Sequence, residues 1–264
     1  MARQHCRLDW KPVALAGILV LGGGAAQAAD LYEEPQIIEE APAPSFGGWY
    51  LRGDIGYSAQ RVGRLDSPAY DLVDSVINTQ KDFAPAPFIG IGVGYQWNEY
   101  FRTDLTAEYR FRSNFDGFDW VLDEDVGPDF YDDQYNGWKD EYTFLANAYV
   151  DLGTYGSVTP FVGAGIGASY NTIHDFTDVG TINGAYGYSD DHGEWHFAWA
   201  LYAGLGMQLS DQVTLEVAYR YLDLGGASTG DLKDINGNPL SYNPIEFDDL
   251  TSHDVKIAMR YALH

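Results

Sequence analysis

The histidines and carboxylates of this chain are the first residues to test for chemistry. His174 and His192 share one segment with Asp175 and Asp191, a set with the donor types that could hold a metal ion. Paired histidines near acids in a solvated segment are more often plain loop residues. A His-x-Ser pair on a strand would put base and hydroxyl on one face, where the base could activate the nucleophile. No histidine here has a serine two places on. Ser252 and His253 are adjacent, so in a strand they point to opposite faces. The expectation is therefore no enzyme, with no catalytic, metal-ligating or cofactor-binding residue and no cofactor. The other charged set is more regular. Arg52, Asp54, Arg102, Asp104, Glu108, Arg110, Arg112, Asp151, Glu216, Arg220, Asp254, Lys256 and Arg260 all fall on alternate positions of short alternating stretches. Charges spaced by two share one face of a strand. They can line a path for ions, or they can pair as salt bridges.

The stretches that carry them read as strands. From Ile89 to Trp97 every second residue is large and apolar, and Gly90, Gly92, Gly94 and Gln96 lie between. The same period of two marks about 48–58, 87–97, 101–112, 142–152, 158–170, 195–209, 213–223 and 252–263, eight in all. One face is continuously apolar, and the other is glycine and charge. That is a β-barrel whose outside is greasy. The connections alternate. Asn98–Tyr100, Gly153–Ser157 and Ser210–Gln212 are tight turns. The segments near 59–86, 113–141, 171–194 and 224–251 read as four long loops. The fold class expected is all-β: an eight-stranded antiparallel up-and-down transmembrane β-barrel with short periplasmic turns and long extracellular loops. A soluble lipocalin-type barrel competes, but its solvent face would not carry runs of alternating glycine. Aromatics near strand ends, such as Trp49, Tyr57, Tyr95, Trp97, Tyr219, Tyr221 and Tyr261, fit interfacial girdles.

Three domains follow. Residues 1–28 read as a signal peptide, with Arg3, Arg7 and Lys11 ahead of an apolar run and Ala26-Gln27-Ala28 at its end. Residues 29–46 read as a disordered periplasmic tether, rich in Ala, Pro and Glu. Residues 47–264 form the barrel. Cleavage would remove Cys6, the single cysteine, and leave 12 basic against 38 acidic residues. Such a balance excludes nucleic acid as a partner. Much of the acid lies in the long loops. Residues 113–140 hold nine aspartates and glutamates against Lys139, interleaved with aromatics. That pattern reads as a solvated anionic surface, as diffuse divalent-cation bridging to outer-leaflet phosphates, or as an adhesive surface.

The chain resembles the small outer-membrane β-barrel proteins of alphaproteobacteria such as rhizobia and brucellae, related to opacity-type and OmpA-type barrels. The residues that carry the resemblance are Ala29-Asp30-Leu31, the Gly48–Tyr57 stretch, Asn147–Gly153, Pro160–Gly167, Tyr219–Asp223 and Arg260-Tyr261. Such barrels usually end in Phe, whereas this chain ends Leu263-His264. The resemblance implies a location in the outer membrane of a Gram-negative cell, among outer-membrane lipids and lipopolysaccharide, and delivery by the barrel assembly machinery. It also implies covalent linkage of a mature N-terminal Ala29-Asp30 to peptidoglycan. An eight-stranded barrel has an interior just wide enough for side chains to fill. The inward charges are therefore expected to form an ionic network rather than a pore. The function expected is structural support of the envelope. A surface adhesin acting through the acidic-aromatic loops and a narrow porin are the alternatives.

Overall fold

The computed structural model describes residues 47–122 and 130–263. The signal segment, the tether with Ala29 and Asp30, and His264 lie outside the described residues. The strands are β1 (Gly48–Asp66), β2 (Ser75–Gln80), β3 (Ala86–Gln96), β4 (Phe101–Leu122), β5 (Phe130–Asp151), β6 (Val158–Val179), β7 (Tyr186–Ser189), β8 (His192–Gln208), β9 (Val213–Ser228), β10 (Leu232–Lys233) and β11 (Glu246–Ala262). Eight of them close a ring in which every neighbour is antiparallel: β1 to β3, then β4, β5, β6, β8, β9, β11 and back to β1. Closure leaves no edge in the lower half. Every backbone donor and acceptor there can be met within the ring, which a strand-built membrane span requires.

All eight expected strands are present, but most are longer at one end. The segments expected to be long loops are largely strand. β4 and β5 stay paired from Phe101–Val150 up to Leu122–Phe130, so 113–141 is a tall hairpin. β2 adds to the top of β4, while β7 and β10 extend the top of β6. Phe115, Gly117, Asp119 and Val121 keep a period of two on the inward face of β4, but the glycine and aspartate among them interrupt its apolar character. The alternation therefore weakens in the sequence without stopping in space.

The apolar outer face forms a belt. Leu51, Ile55, Ile91, Leu105, Ile166, Phe197, Leu201, Val255 and Met259 are among its exposed residues. Rings flank it on both sides. Trp49, Tyr95 and Trp97 touch edge to face near the short turns. Tyr109 with Tyr142, Tyr170 with Trp195, and Trp199 with Tyr221 form contacts at the other rim. Amphipathic rings at two levels, with bare aliphatic residues between them, define the height of a bilayer core.

Above the upper ring the architecture changes. Pairing of β1 with β3 stops at Ser58–Ala86, and pairing of β8 with β9 stops at Trp199–Asp223. The ends of β1, β11 and β9 continue as a three-stranded flap. It bends over the mouth because β11 carries an extra residue at Asp249 (φ 54°) and β9 turns at Gly225 (φ 75°). A side chain at Gly225 would be strained in that conformation, and its Cβ would sit 2.5 Å from that of His196. The flap packs against β4, β5 and β6 through a dry core of Val62, Leu65, Phe115, Phe176, Phe247 and Leu250. Phe83 enters from the β2–β3 connection and meets Phe115 at 5.1 Å and Phe247 at 5.3 Å between ring centroids. The interior is thus ionic below and aromatic above.

Candidate functional site

Period-two alternation places the inward charges, and the ring brings them together. Arg52 is the hub of the lower layer. Its guanidinium meets Asp54 at 2.7 Å, Asp104 at 2.6 Å and Glu216 at 3.8 Å. Glu216 also receives Arg102 at 3.0 Å and Arg260 at 2.7 Å, and Arg102 reaches Asp151 at 3.3 Å. Arg220 is the hub of the upper layer. It forks onto Glu108 through Nη1 at 2.9 Å and Nη2 at 2.7 Å, and its Nε donates to Asp254 at 2.8 Å. Arg110 completes Asp254 at 2.5 Å and meets Glu141 at 2.8 Å. Lys256 joins the layers, at 3.2 Å from Asp54 and 3.1 Å from Glu108. Aromatic faces close the remaining sides. Arg102 lies 4.1 Å from the Tyr149 ring centre, and Arg110 lies 4.7 Å from that of Phe88.

Of the thirteen charged residues expected on the inward face, twelve sit in one continuous network. Arg112 does not. A register shift between Arg110 and Ser113 turns it outward, where it lies over Trp138 at 4.9 Å and donates to Asn114 at 2.8 Å. Two members were not foreseen. Lys139 and Glu141 pair with each other inside the wall, although both fell within or beside the supposed solvated loop. Their signal was parity: 139, 141, 143, 145 and 147 share one face of β5, with Tyr142 and Phe144 on the other. With them, the network holds seven cations (Arg52, Arg102, Arg110, Lys139, Arg220, Lys256, Arg260) and seven anions (Asp54, Asp104, Glu108, Glu141, Asp151, Glu216, Asp254) among the described residues. The chain's excess of acid therefore lies outside this section of the lumen.

Inward glycines make the room. A Cβ on Gly90 would lie 2.6 Å from Glu108 Cγ, and one on Gly92 would lie 2.9 Å from Arg52 Cγ. Tyr50, Asn147, Tyr149 and Tyr202 fill what the charges leave. Asn147 donates to Asp104 at 2.8 Å and accepts from Tyr202 at 2.8 Å. The arrangement packs and neutralises the lumen. Ser252 and His253 lie on opposite faces, with Ser252 donating to Asp254 and His253 beside Tyr219.

A second cluster sits on the outer wall above the upper aromatic ring. His174 is stacked on Trp138 with ring centroids 3.9 Å apart. Its Nδ1 lies 2.7 Å from Asp191 and its Nε2 lies 3.2 Å from Asp140, which also accepts from Tyr109 at 2.8 Å. Burial disfavours the charged ring, but the bonds to Asp191 and Asp140 prevail and raise its pKa. Both ring nitrogens face carboxylates, which makes a clasp rather than a metal site. Among the described residues no group of three His, Cys, Asp or Glu could hold a metal ion. Inside the mouth, Asp133 stands opposite Asp119, and Asp178 stands opposite Tyr135. Burial, then the neighbouring acids, push Asp133 up to about 6 and Asp178 up to about 8.

A closed eight-strand ring with a greasy belt, two aromatic girdles and a charge-filled lumen is an outer-membrane β-barrel. The chain belongs to the outer membrane protein beta-barrel domain family, whose model matches residues 16–259. It is therefore a protein of the Gram-negative outer membrane, with its short turns on the periplasmic side and its long hairpins outside. An uncharacterized protein of Brucella abortus is 36% identical over 230 residues, covering 80% of each chain. The outer membrane protein PagN of Salmonella typhimurium is 23% identical over 201 residues, 71% of this chain and 79% of that one. Among solved structures, the outer membrane protein OprG of Pseudomonas aeruginosa is 14% identical, with a TM-score of 0.48 over 83% of this chain and 97% of that one.

Two outcomes follow from this geometry. Replacing Arg220 by Met leaves the buried Glu108 and Asp254 short of a partner. Equilibrium unfolding in lipid vesicles should show a loss of about 3–5 kcal/mol, partly recovered when Glu108→Gln is added. The second concerns pH. An Asp with a folded pKa above its unfolded value opposes folding once it must ionise. The penalty from Asp133 and Asp178 is absent below about pH 4 and complete only above about pH 8. The His174 clasp acts in the same direction, because its stabilisation is present at low pH and lost as pH rises through its raised pKa. The extracellular end should therefore resist protease better at pH 5 than at pH 8. Asp178→Asn should flatten the upper part of that profile.

Proposed function

We propose that this protein is a structural barrel that supports the integrity of the outer membrane and carries no solute. The observation behind this reading is the balanced lattice of seven cations and seven anions across the lumen, roofed by the aromatic core of the flap. A path for ions needs mobile water and unpaired charge. Here each cation faces a carboxylate, and Phe83, Phe115 and Phe247 close the layer above. The N-terminal segment supplies the second half of the proposal. With cleavage after Ala28, the chain would begin Ala29-Asp30, joined to the barrel by an 18-residue tether. Extended at ~3.1 Å per residue, the tether spans roughly 55 Å, enough to reach peptidoglycan and hold the two layers together. Lipopolysaccharide outside and the barrel assembly machinery during delivery are the other partners proposed.

Purified protein in planar bilayers should show no stable conductance, and reproducible nanosiemens channels would refute the sealed lumen. Digested cell walls should yield a muropeptide on Ala29. Its absence would remove the tether from the proposal and leave the barrel reading intact.

A second reading has its own support. The extracellular hairpins expose Ile77 at 61% and Ile235 at 81%, within a strongly acidic surface. Apolar anchors set among carboxylates suit adhesion to a cationic protein partner. Loss of attachment without detergent sensitivity in a deletion strain would favour this reading over the structural one.

A further inference from the structure

The seam between β8 and β9 is unfinished. Below it the strands pair without a break from Gln208–Thr214 to Trp199–Asp223. Above it both continue, β8 to His192 and β9 to Ser228, yet they share no ladder. β9 passes inward instead and is held by side chains of β6. Ser169 Oγ donates to the Leu224 carbonyl at 2.7 Å. Asn171 Nδ2 donates to the Leu224 carbonyl at 3.1 Å and to that of Gly226 at 2.5 Å. The edge of β8 from Gly193 to Ala198 has no backbone partner on that side among the described residues. Trp195 and Phe197 on the same stretch are exposed at 62% and 65%, at the level of the upper girdle. An unpaired edge is disfavoured where water is scarce. His196 covers part of it, packed against Gly225 and Gly226.

We infer that the flap has a second position, in which residues 224–228 leave β6 and zip onto residues 194–198 of β8. The register of the Trp199–Asp223 pair continues, so Ser228 comes to lie opposite Glu194. The pieces for such an exchange are in place. Gly225 holds a positive φ and Gly226 follows it, so the pivot needs no strained side chain. The two carbonyls that would enter the new ladder are held by side chains, not by another strand. The free edge of β8 is the vacant half of that ladder. Movement of β9 carries its partner β11, and so lifts Phe247 and Leu250 away from Phe83, Phe115 and Phe176. What opens is an outward-facing aromatic cup suited to an apolar or aromatic group. It is not a conduit, because the ionic lattice below stays closed.

Paired cysteines test this in the full-length protein, in outer-membrane fractions and with Cys6 replaced by Ser. Trp199→Cys with Asp223→Cys are neighbours in the present structure and should cross-link at once. Glu194→Cys with Ser228→Cys should also cross-link, more slowly and only under oxidant. Adding Asn171→Ala, which frees the Gly226 carbonyl and leaves that of Leu224 held by Ser169 alone, should speed that reaction several-fold. Heat-modifiable gel migration reports which variants are folded. If the Asn171 variant does not fold, the Glu194–Ser228 pair in the otherwise unaltered chain decides alone. The second position is overturned if the control pair closes and the Glu194–Ser228 pair stays reduced.

Discussion

Hydrocarbon solvates neither charges nor unpaired backbone, and that constraint shapes each layer of this barrel. The ring satisfies the backbone by closing on itself. The side chains satisfy the charges by balancing in number and by sharing partners. Glu216 serves Arg52, Arg102 and Arg260, while Arg220 spans Glu108 and Asp254. Such a lattice is weak evidence for high stability, since removing fourteen charges from water is itself costly. Its stronger effect is on uniqueness. A strand slipped by one residue would turn its charges to lipid, so one register alone keeps them paired.

Above the membrane the same strands meet different conditions, and the interior reverses its character. Water is available there, so acidic side chains can stand exposed around an apolar centre. The extra residue at Asp249 and the turn at Gly225 bend the flap and shift which residues face inward. Leu222 and Leu224 point in below the turn, and Ala227 points in above it. The acid excluded from the lower lumen gathers at this end, where burial, then crowding by neighbouring acids, pushes Asp133 and Asp178 up. The extracellular end thus carries the groups whose ionisation opposes folding, while the membrane section is held by complementary charge.

The membrane section was legible in the sequence because period two, glycine faces and aromatic strand ends all report one local property, the side on which a residue points. That is why Arg52, Glu108, Arg220 and Lys256 could be placed together before any geometry was known. Arg112 shows the limit. One extra residue after Arg110 reverses parity, and no residue type announces it. Lys139 and Glu141 show another. A run dense in aspartate reads as solvated, although every second member of it lines a wall. The flap was illegible for a different reason. Its core joins Phe83, Phe115, Phe176 and Phe247, whose proximity depends on where ladders stop, and that is a long-range property of the sheet.

The reach of the lower network across the chain constrains how the protein can be made. Arg52 and Asp54, on the first strand, find partners at Asp104, Glu216 and Lys256, so the last of these is synthesised some two hundred residues later. A lone first hairpin entering the bilayer would carry Arg52 and Asp54 into hydrocarbon with only each other as partners. Insertion strand by strand would therefore hold the first strand's charges short of partners until the last strand arrives, whereas a sheet gathered beforehand would enter with them matched. Neutrality inside the finished wall is in this sense a condition on biogenesis, written into the spacing between residue 52 and residue 256.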